Sequence, residues 1–272
     1  MHLKRWLTSI VAIPVLAAFL FYAPPGLFTL FIGLIAVIAL WEYYRIVFKH
    51  LQPAAGVVIP LWGGAVGLAL LFAAYISAWH LLPELIIINT LGTALFSLFR
   101  FKIHTGVVDV VAKEIQGLVY IPLALATLIL LRMDQEGVAW IFFLLFVVFA
   151  GDVGAFYAGR FFGRHKLSPA ISPGKTIEGA VGGILANIAV GYGFMLLFLP
   201  HLSIAGCFFF FIAVGVAGQA GDLFESEFKR VQQIKDSGTI LPGHGGLLDR
   251  IDALLFAAPT AYLFKIYILP FF

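Results

Sequence analysis

Apolar stretches of helix length recur along the whole chain and are separated by short polar loops. We count nine of them, at residues 6–22, 27–41, 54–79, 81–99, 117–131, 138–157, 177–199, 202–220 and 251–269. A helix needs about 20 apolar residues to cross the hydrocarbon core of a bilayer, and it satisfies its own backbone hydrogen bonds there. The pattern therefore predicts an all-α fold, a polytopic membrane helix bundle with about nine transmembrane helices.

The composition excludes a water-soluble fold. Only 11% of the residues are charged and 62% are hydrophobic, whereas soluble domains carry about 25% charged residues. The first segment follows Lys4 and Arg5 as a signal peptide would, but apolar segments continue throughout the chain. We therefore interpret segment 6–22 as a transmembrane anchor.

The positive charges alternate with the apolar segments. Fifteen of the 17 Lys and Arg residues precede the first segment or fall in every second loop after it, while Arg132 lies in an opposite loop and Lys265 within the last segment. Because Lys and Arg are enriched in cytoplasmic loops, we predict a cytoplasmic N-terminus and a site on the cytoplasmic face. We expect residues 1–272 to form a single integral membrane domain, with N-terminal spans over 1–131 and the chemically active spans and loops over 138–272.

The first polar cluster is centred on Asp152, which interrupts the sixth apolar segment. An ionisable group inside a span is costly and is usually retained for function. Gly151, Gly154 and Gly159 surround it and allow close approach of a neighbouring helix or a ligand. A helix-packing face with a solvated aspartate is the alternative interpretation.

The second cluster reads Ser-Pro-Gly-Lys-Thr-Ile-Glu-Gly over residues 172–179. We expect Pro173 and Gly174 to form a turn, after which Lys175 and Thr176 open a helix. A lysine beside the free amides of a helix N-terminus suits a phosphate group. A simple helix cap by Ser172 or Thr176 explains the same residues equally well, and the sequence leaves both interpretations open.

The third cluster, residues 222–252, is the most polar part of the chain. Asp222, Glu225, Ser226 and Lys229 recur at helical spacing and so share one face. After them, Pro242, Gly243, Gly245 and Gly246 predict a tight loop that presents His244, followed by Asp249 and Asp252 at the mouth of the last segment.

Two acidic helix ends across a glycine loop predict a divalent cation site. Carboxylate oxygens suit Mg²⁺, which also takes substrate phosphates, and neighbouring Lys and Arg side chains stabilise phosphate charge. Glu42 lies at the end of the second segment, where we expect it to be solvated easily.

The third cluster resembles the signature of the CDP-diacylglycerol synthase family, the phosphatidate cytidylyltransferases. The residues in register are Ser226, Lys229, Arg230, Lys235, Asp236, Pro242, His244, Gly245, Gly246, Asp249, Arg250 and Asp252. The clusters around Asp152 and at 172–179 resemble the earlier polar motifs of the family.

The resemblance implies a multi-pass enzyme of the inner (plasma) membrane, facing the cytoplasm, that makes CDP-diacylglycerol and pyrophosphate from CTP and phosphatidate. It implies one or two Mg²⁺ cations held by Asp222, Asp249 and Asp252. The implied catalytic residues are Asp222, Asp249, Lys229, Arg230, Lys235, Asp236, His244 and Arg250. The implied substrate-binding residues are Ser172, Lys175, Thr176, Ser226, Gly245, Gly246 and Asp152. We expect no nucleic-acid partner, and a homodimer would fit the resemblance.

Three alternatives compete with this interpretation. A CTP-dependent polyprenol or phytol kinase would share a membrane site for CTP but phosphorylate an alcohol. A CDP-alcohol phosphotransferase would carry an Asp-Gly-x-x-Ala-Arg run, which this sequence lacks. A transporter would use its intramembrane carboxylates for cation coupling and would catalyse cation flux without CTP.

Overall fold

The computed structural model describes residues 14–102, 105–238 and 245–272. Its helices are α1 (described over 14–22), α2 (Pro25–Val47), α3 (Gln52–Ala55), α4 (Val58–Tyr75), α5 (Leu81–Arg100), α6 (Val107–Leu118), α7 (Ala124–Met133), α8 (Gly137–Phe162), α9 (Ile177–Phe198), α10 (Ile204–Val231) and α11 (Leu248–Leu263). Strands β1 (Lys166–Ser168) and β2 (Ser172–Thr176) form an antiparallel hairpin between α8 and α9.

Eight helices of the described ranges are long and apolar enough to cross a membrane. They coincide with the second to ninth predicted segments, and the two shortest of these segments extend to spans of 23 and 27 residues, Pro25–Val47 and Val107–Met133. The prediction of an all-α polytopic bundle is therefore confirmed. The first predicted segment lies partly outside the described residues, and the side on which the N-terminus lies stays a prediction.

The span Val107–Met133 is continuous although it contains a proline. A proline has no N–H to donate and disturbs the α-helical hydrogen-bond ladder. Helix α6 passes through a π-helical turn, Val119–Leu123, which contains Pro122 and leads directly into α7. A wider turn of this kind accommodates the missing donor without ending the helix.

Helix α5 buries two polar side chains and exposes several large apolar ones. Its buried residues are Asn89 and Thr93, and both donate hydrogen bonds to the buried carboxylate of Glu114 on α6, at 2.7 and 3.1 Å. Large apolar side chains such as Leu91 and Leu98 point outward. This arrangement fits a helix whose outer face is solvated by lipid.

Helices α8 and α9 pack closely because small residues line their interface. A Cβ on Gly154 of α8 would lie 2.9 Å from the carbonyl oxygen of Gly182 on α9, and a Cβ on Gly179 would lie 2.9 Å from the carbonyl oxygen of Ala155. Small residues of this kind let two backbones approach within a membrane. The close packing brings Asp152 of α8 next to the start of α9.

Candidate active site

A cavity of about 460 Å³ with charged residues in its wall opens where α8, α9, α10 and the hairpin meet. Its charged and polar lining residues are Asp152, Arg160, Lys175, Thr176, Gln219 and Asp222. The ammonium of Lys175 lies 2.7 Å from a carboxylate oxygen of Asp222. Gln219 donates a hydrogen bond of 2.9 Å to the carbonyl oxygen of Ala180, which holds α10 against α9. The cavity therefore combines residues from the first, second and third clusters.

The hairpin positions Lys175 in this cavity. The expected turn at Pro173 and Gly174 is wrong, because both residues belong to the extended strand β2; the fixed φ of proline suits an edge strand. Thr176 is itself extended and caps α9, since its hydroxyl accepts the Gly179 N–H at 3.1 Å. The helix therefore begins at Ile177, and Lys175 lies ahead of it.

Other contacts tie the hairpin to its surroundings. Arg230, near the end of α10, donates from Nε to the carbonyl oxygen of Ile171 at 2.9 Å. Ser172 pairs with Ser168 at the turn end of the hairpin and does not line the cavity. The guanidinium of Arg230 would therefore have to bind a phosphate while it keeps this structural hydrogen bond.

A second charged group lies between α10 and α11. The ammonium of Lys229 contacts the carboxylate of Glu225 one turn before it and lies 2.7 Å from Asp249 Oδ1. The three side chains are nearly inaccessible, with exposed fractions of 13% for Lys229, 0% for Glu225 and 8% for Asp249. Buried charges of this kind require compensation, and one ammonium serves two carboxylates here.

Asp249 is held by the loop that precedes α11 as well as by Lys229. Its Oδ2 atom accepts the backbone N–H of Ser237 at 2.9 Å, the Ser237 hydroxyl at 3.0 Å and the Gly246 N–H at 2.9 Å. Gly245 precedes this contact with φ of +82°, a backbone conformation that favours glycine. The Gly246 amide, expected to face substrate, is thus directed at Asp249.

Ser226 and Asp252 lie beside Asp222. The Ser226 hydroxyl donates to Asp222 Oδ1 at 3.5 Å, and the backbone of Asp252 packs against Gly221, the neighbour of Asp222 on α10. Asp152, Asp222 and Asp252 therefore lie on packed stretches of α8, α10 and α11, a region that we call the acidic mouth.

The remaining predicted residues lie at the edge of the site or outside the described residues. Lys235 and Asp236 are exposed in the segment after α10, and Arg250 is exposed on the first turn of α11. His244, with Pro242 and Gly243, lies outside the described residues. The catalytic role expected of His244 stays a prediction.

Glu42 is a site residue that the sequence reasoning missed. The expectation of easy solvation is wrong, because its side chain is buried and accepts the backbone N–H groups of Leu247 and Leu248 at 3.1 and 2.8 Å. It lies within α2, which packs against α11. The sequence did carry a signal for Glu42, because an acidic residue inside an apolar span is the same feature that singled out Asp152.

The donor set has the chemistry of a magnesium site. Carboxylate oxygens are the ligands that Mg²⁺ prefers, usually together with waters and substrate phosphates. In the part of the chain that the structure describes, however, no three His, Cys, Asp or Glu side chains form a ready-made metal site. Lysine ammonium groups neutralise Asp222 and Asp249 at 2.7 Å, so a cation would have to share or displace these contacts.

Fold and site together define a polytopic membrane protein with a charged pocket, suited to phosphate groups, at one end of its spans. The chain belongs to the cytidylyltransferase family, whose model matches residues 3–268. The family prediction made from the third cluster is thereby confirmed.

Several similar proteins carry the name phosphatidate cytidylyltransferase. A phosphatidate cytidylyltransferase of Bacillus subtilis (strain 168) is 35% identical over 270 residues, which cover 95% of this chain and 96% of that protein. A phosphatidate cytidylyltransferase of Haemophilus influenzae is 32% identical over 292 residues, covering 98% and 99%. A third, from Staphylococcus epidermidis, is 48% identical over 125 residues, 46% of this chain and 48% of that protein.

Proposed function

We propose that this protein transfers a cytidylyl group from CTP to phosphatidate and so makes CDP-diacylglycerol and pyrophosphate for phospholipid biosynthesis. The observation that carries the proposal is the cavity in which Lys175 pairs with Asp222 at the ends of apolar spans. The full-length relatives named phosphatidate cytidylyltransferase support the same reaction.

The reaction needs positioning and charge neutralisation more than a protein nucleophile. An oxygen of the phosphatidate phosphate attacks the α-phosphorus of CTP, and the bond to the bridging oxygen breaks so that pyrophosphate leaves. The attacking phosphate is already ionised. Lys175 and Lys229, which face carboxylates at 2.7 Å, would stabilise the phosphate charge of the transition state, and Arg230, Lys235 and Arg250 would hold further phosphate oxygens.

The location of the cavity suits one lipid and one soluble substrate. The acyl chains of phosphatidate stay in the bilayer, beside the apolar outer faces of the spans, while CTP arrives from water. The distribution of Lys and Arg supports a cytoplasmic orientation of this mouth in the inner membrane. A homodimer remains a prediction.

We further propose that one or two Mg²⁺ ions bind at the acidic mouth, held by Asp222, Asp249 and Asp252, with Asp152 as the next carboxylate. Bound there, Mg²⁺ would neutralise phosphate oxygens and orient the leaving pyrophosphate. The cavity that Asp152 and Asp222 share, and the packing of Asp252 against Gly221 beside Asp222, support the assignment.

The test is a pyrophosphate-release assay on the purified protein in lipid nanodiscs with CTP and phosphatidate. We expect equal amounts of pyrophosphate and CDP-diacylglycerol, and loss of both when Mg²⁺ is omitted or phosphatidate is replaced by diacylglycerol. Release of CDP with a phosphorylated alcohol would favour the kinase alternative. Cation flux in liposomes without any consumption of CTP would favour the transporter.

A further inference from the structure

The carboxylate of Glu42 reaches from α2 into the loop before α11. Its Oε1 accepts the Leu247 N–H at 3.1 Å, and its Oε2 accepts the Leu248 N–H at 2.8 Å and lies 3.3 Å from the Ser237 hydroxyl oxygen. The side chain has an exposed fraction of 0%. A residue from the second span therefore holds backbone that lies 205 and 206 positions later in the chain.

Ser237 connects Glu42 to Asp249. Its hydroxyl oxygen lies 3.3 Å from Glu42 Oε2 and 3.0 Å from Asp249 Oδ2, and its backbone N–H donates to the same Oδ2 at 2.9 Å. A hydroxyl has one hydrogen to donate, so it serves one carboxylate at a time and links the two positions. The Oδ1 atom of Asp249 is left facing Lys229.

The backbone at Gly238 and Gly246 is shaped around the Glu42 carboxylate. A Cβ on Gly246 would lie 2.7 Å from Glu42 Oε2 and 2.6 Å from the Gly238 nitrogen, and a Cβ on Gly238 would collide with Glu42 Oε1. Larger residues at either position would push the loop away from the carboxylate. Gly238 and Gly246 therefore provide evidence, independent of the hydrogen bonds, that the backbone at these positions is adapted to the contact with Glu42.

Glu42 also occupies the N-terminus of α11. The first N–H groups of a helix have no partner within it, and the positive end of the helix dipole attracts anions. Leu247 and Leu248 donate these N–H groups to Glu42. These two amides are therefore already occupied and are not available to a substrate phosphate.

We propose that Glu42 is a positioning residue for the transfer reaction. It holds Ser237 and residues 246–248 so that Asp249 keeps Oδ2 bound to this backbone and directs Oδ1 toward Lys229. The inference rests on the proposed function and on the assignment of Asp249 to the cation site. Glu42 itself does not line the cavity described above, and its hydrogen-bond partners are Leu247, Leu248 and Ser237.

The chain offers a matched control in Glu114. This carboxylate is also fully buried and accepts side-chain hydrogen bonds from Asn89, Thr93 and Tyr44, but none of these groups belongs to the site. Glu114→Gln therefore measures the general effect of neutralising a buried carboxylate in this bundle. Glu42→Gln measures the same effect plus the loss of positioning.

The experiment compares both variants with the wild-type protein in nanodiscs. For Glu42→Gln we expect kcat to fall by about tenfold or more and the Mg²⁺ concentration for half-maximal activity to rise by a similar factor, with KM for CTP little changed. We also expect faster hydrogen exchange in peptides that cover residues 245–252, measured by mass spectrometry. Glu114→Gln should leave all these values near those of the wild type.

A second variant keeps the test decisive if Glu42→Gln does not fold. Ser237→Ala removes only the link between the carboxylates, and it should raise the Mg²⁺ requirement while leaving the bonds from Glu42 to α11 intact. Wild-type kcat, Mg²⁺ requirement and exchange in either folded variant, or equal changes in Glu114→Gln, would overturn the proposal. Failure of the wild-type protein to make CDP-diacylglycerol would instead reject the proposed function, and the exchange measurement would still report on Glu42.

Discussion

The ammonium of Lys175 lies 2.7 Å from Asp222 Oδ2, and this ion pair joins the end of strand β2 to helix α10. The partners are 25% and 38% exposed, so the pair lies at the cavity wall and not in the protein interior. Asp152 of α8 lines the same cavity. One charge pair thus brings together the polar clusters that the sequence presents separately.

Replacing Lys175 should remove phosphate binding. We expect Lys175→Gln to lower kcat/KM for CTP by about 10²-fold, because a preorganised cation at the reacting phosphates is lost. The pyrophosphate-release assay measures this change. Lys166→Gln is the control, since Lys166 is an exposed lysine of the same hairpin that does not line the cavity. Activity of Lys175→Gln equal to that of the control would exclude a role in the reaction.

Asp222→Asn and Asp249→Asn should each abolish turnover without unfolding the protein. Both substitutions keep the side-chain shape and remove a negative charge from the proposed cation site, so we expect a loss of about 10²-fold or more in kcat. Activity and thermal unfolding in detergent are measured together. Asp109→Asn, which changes an exposed acid near the start of α6, serves as control. Wild-type turnover in either variant would remove that residue from the metal assignment.

Lys229 should be essential for stability as well as for chemistry. Lys229→Met leaves the buried carboxylates of Glu225 and Asp249 without their shared cation, and breaking a buried pair in this way costs about 3–5 kcal/mol. Equilibrium unfolding in mixed micelles provides the free energy. Adding Glu225→Gln to the variant should restore part of the loss, and no restoration would contradict the shared-cation interpretation.

The loop before α11 should not tolerate a side chain at Gly246. A Cβ there would lie 2.6 Å from the Gly238 nitrogen and 2.7 Å from Glu42 Oε2, and the Glu42 carboxylate cannot move away without loss of its hydrogen bonds to Leu247 and Leu248. We expect Gly246→Ala to lose activity by about tenfold or more. Gly193→Ala on α9 is the matched control, because a Cβ at that position would meet nothing within 4 Å. Equal activity in the two variants would show that the loop adapts.

The orientation of the protein in the membrane can be tested with single engineered cysteines. The natural cysteine, Cys207, is fully buried and should not react with a membrane-impermeant maleimide. Lys166→Cys places an exposed thiol on the hairpin, and His201→Cys places one in the short loop between α9 and α10. We expect Lys166→Cys to be labelled only from the cytoplasmic side and His201→Cys only from the opposite side. The reverse result would overturn the proposed orientation.

The helical part of the site was more predictable than the loops. The spacing of Asp222, Glu225, Ser226 and Lys229 predicted one helical face, and α10 does continue through Val231. The prediction at Pro173 and Gly174 failed because the dipeptide suits a turn and an edge strand alike. The strand is selected by pairing with β1, in which Lys166 pairs with Thr176.

The sequence by itself determined the membrane bundle, the positions of its spans and the family, because hydropathy, helical spacing and motif order are local properties of the chain. Only the tertiary structure decided which charges meet. Lys175 pairs with Asp222, Lys229 lies between Glu225 and Asp249, and Glu42 holds the N-terminus of α11. Apart from that of Lys229 with Glu225, these contacts join residues far apart in the chain. They depend on the close packing of helices, such as that of Gly154 against Gly182, and no short stretch of sequence encodes such packing.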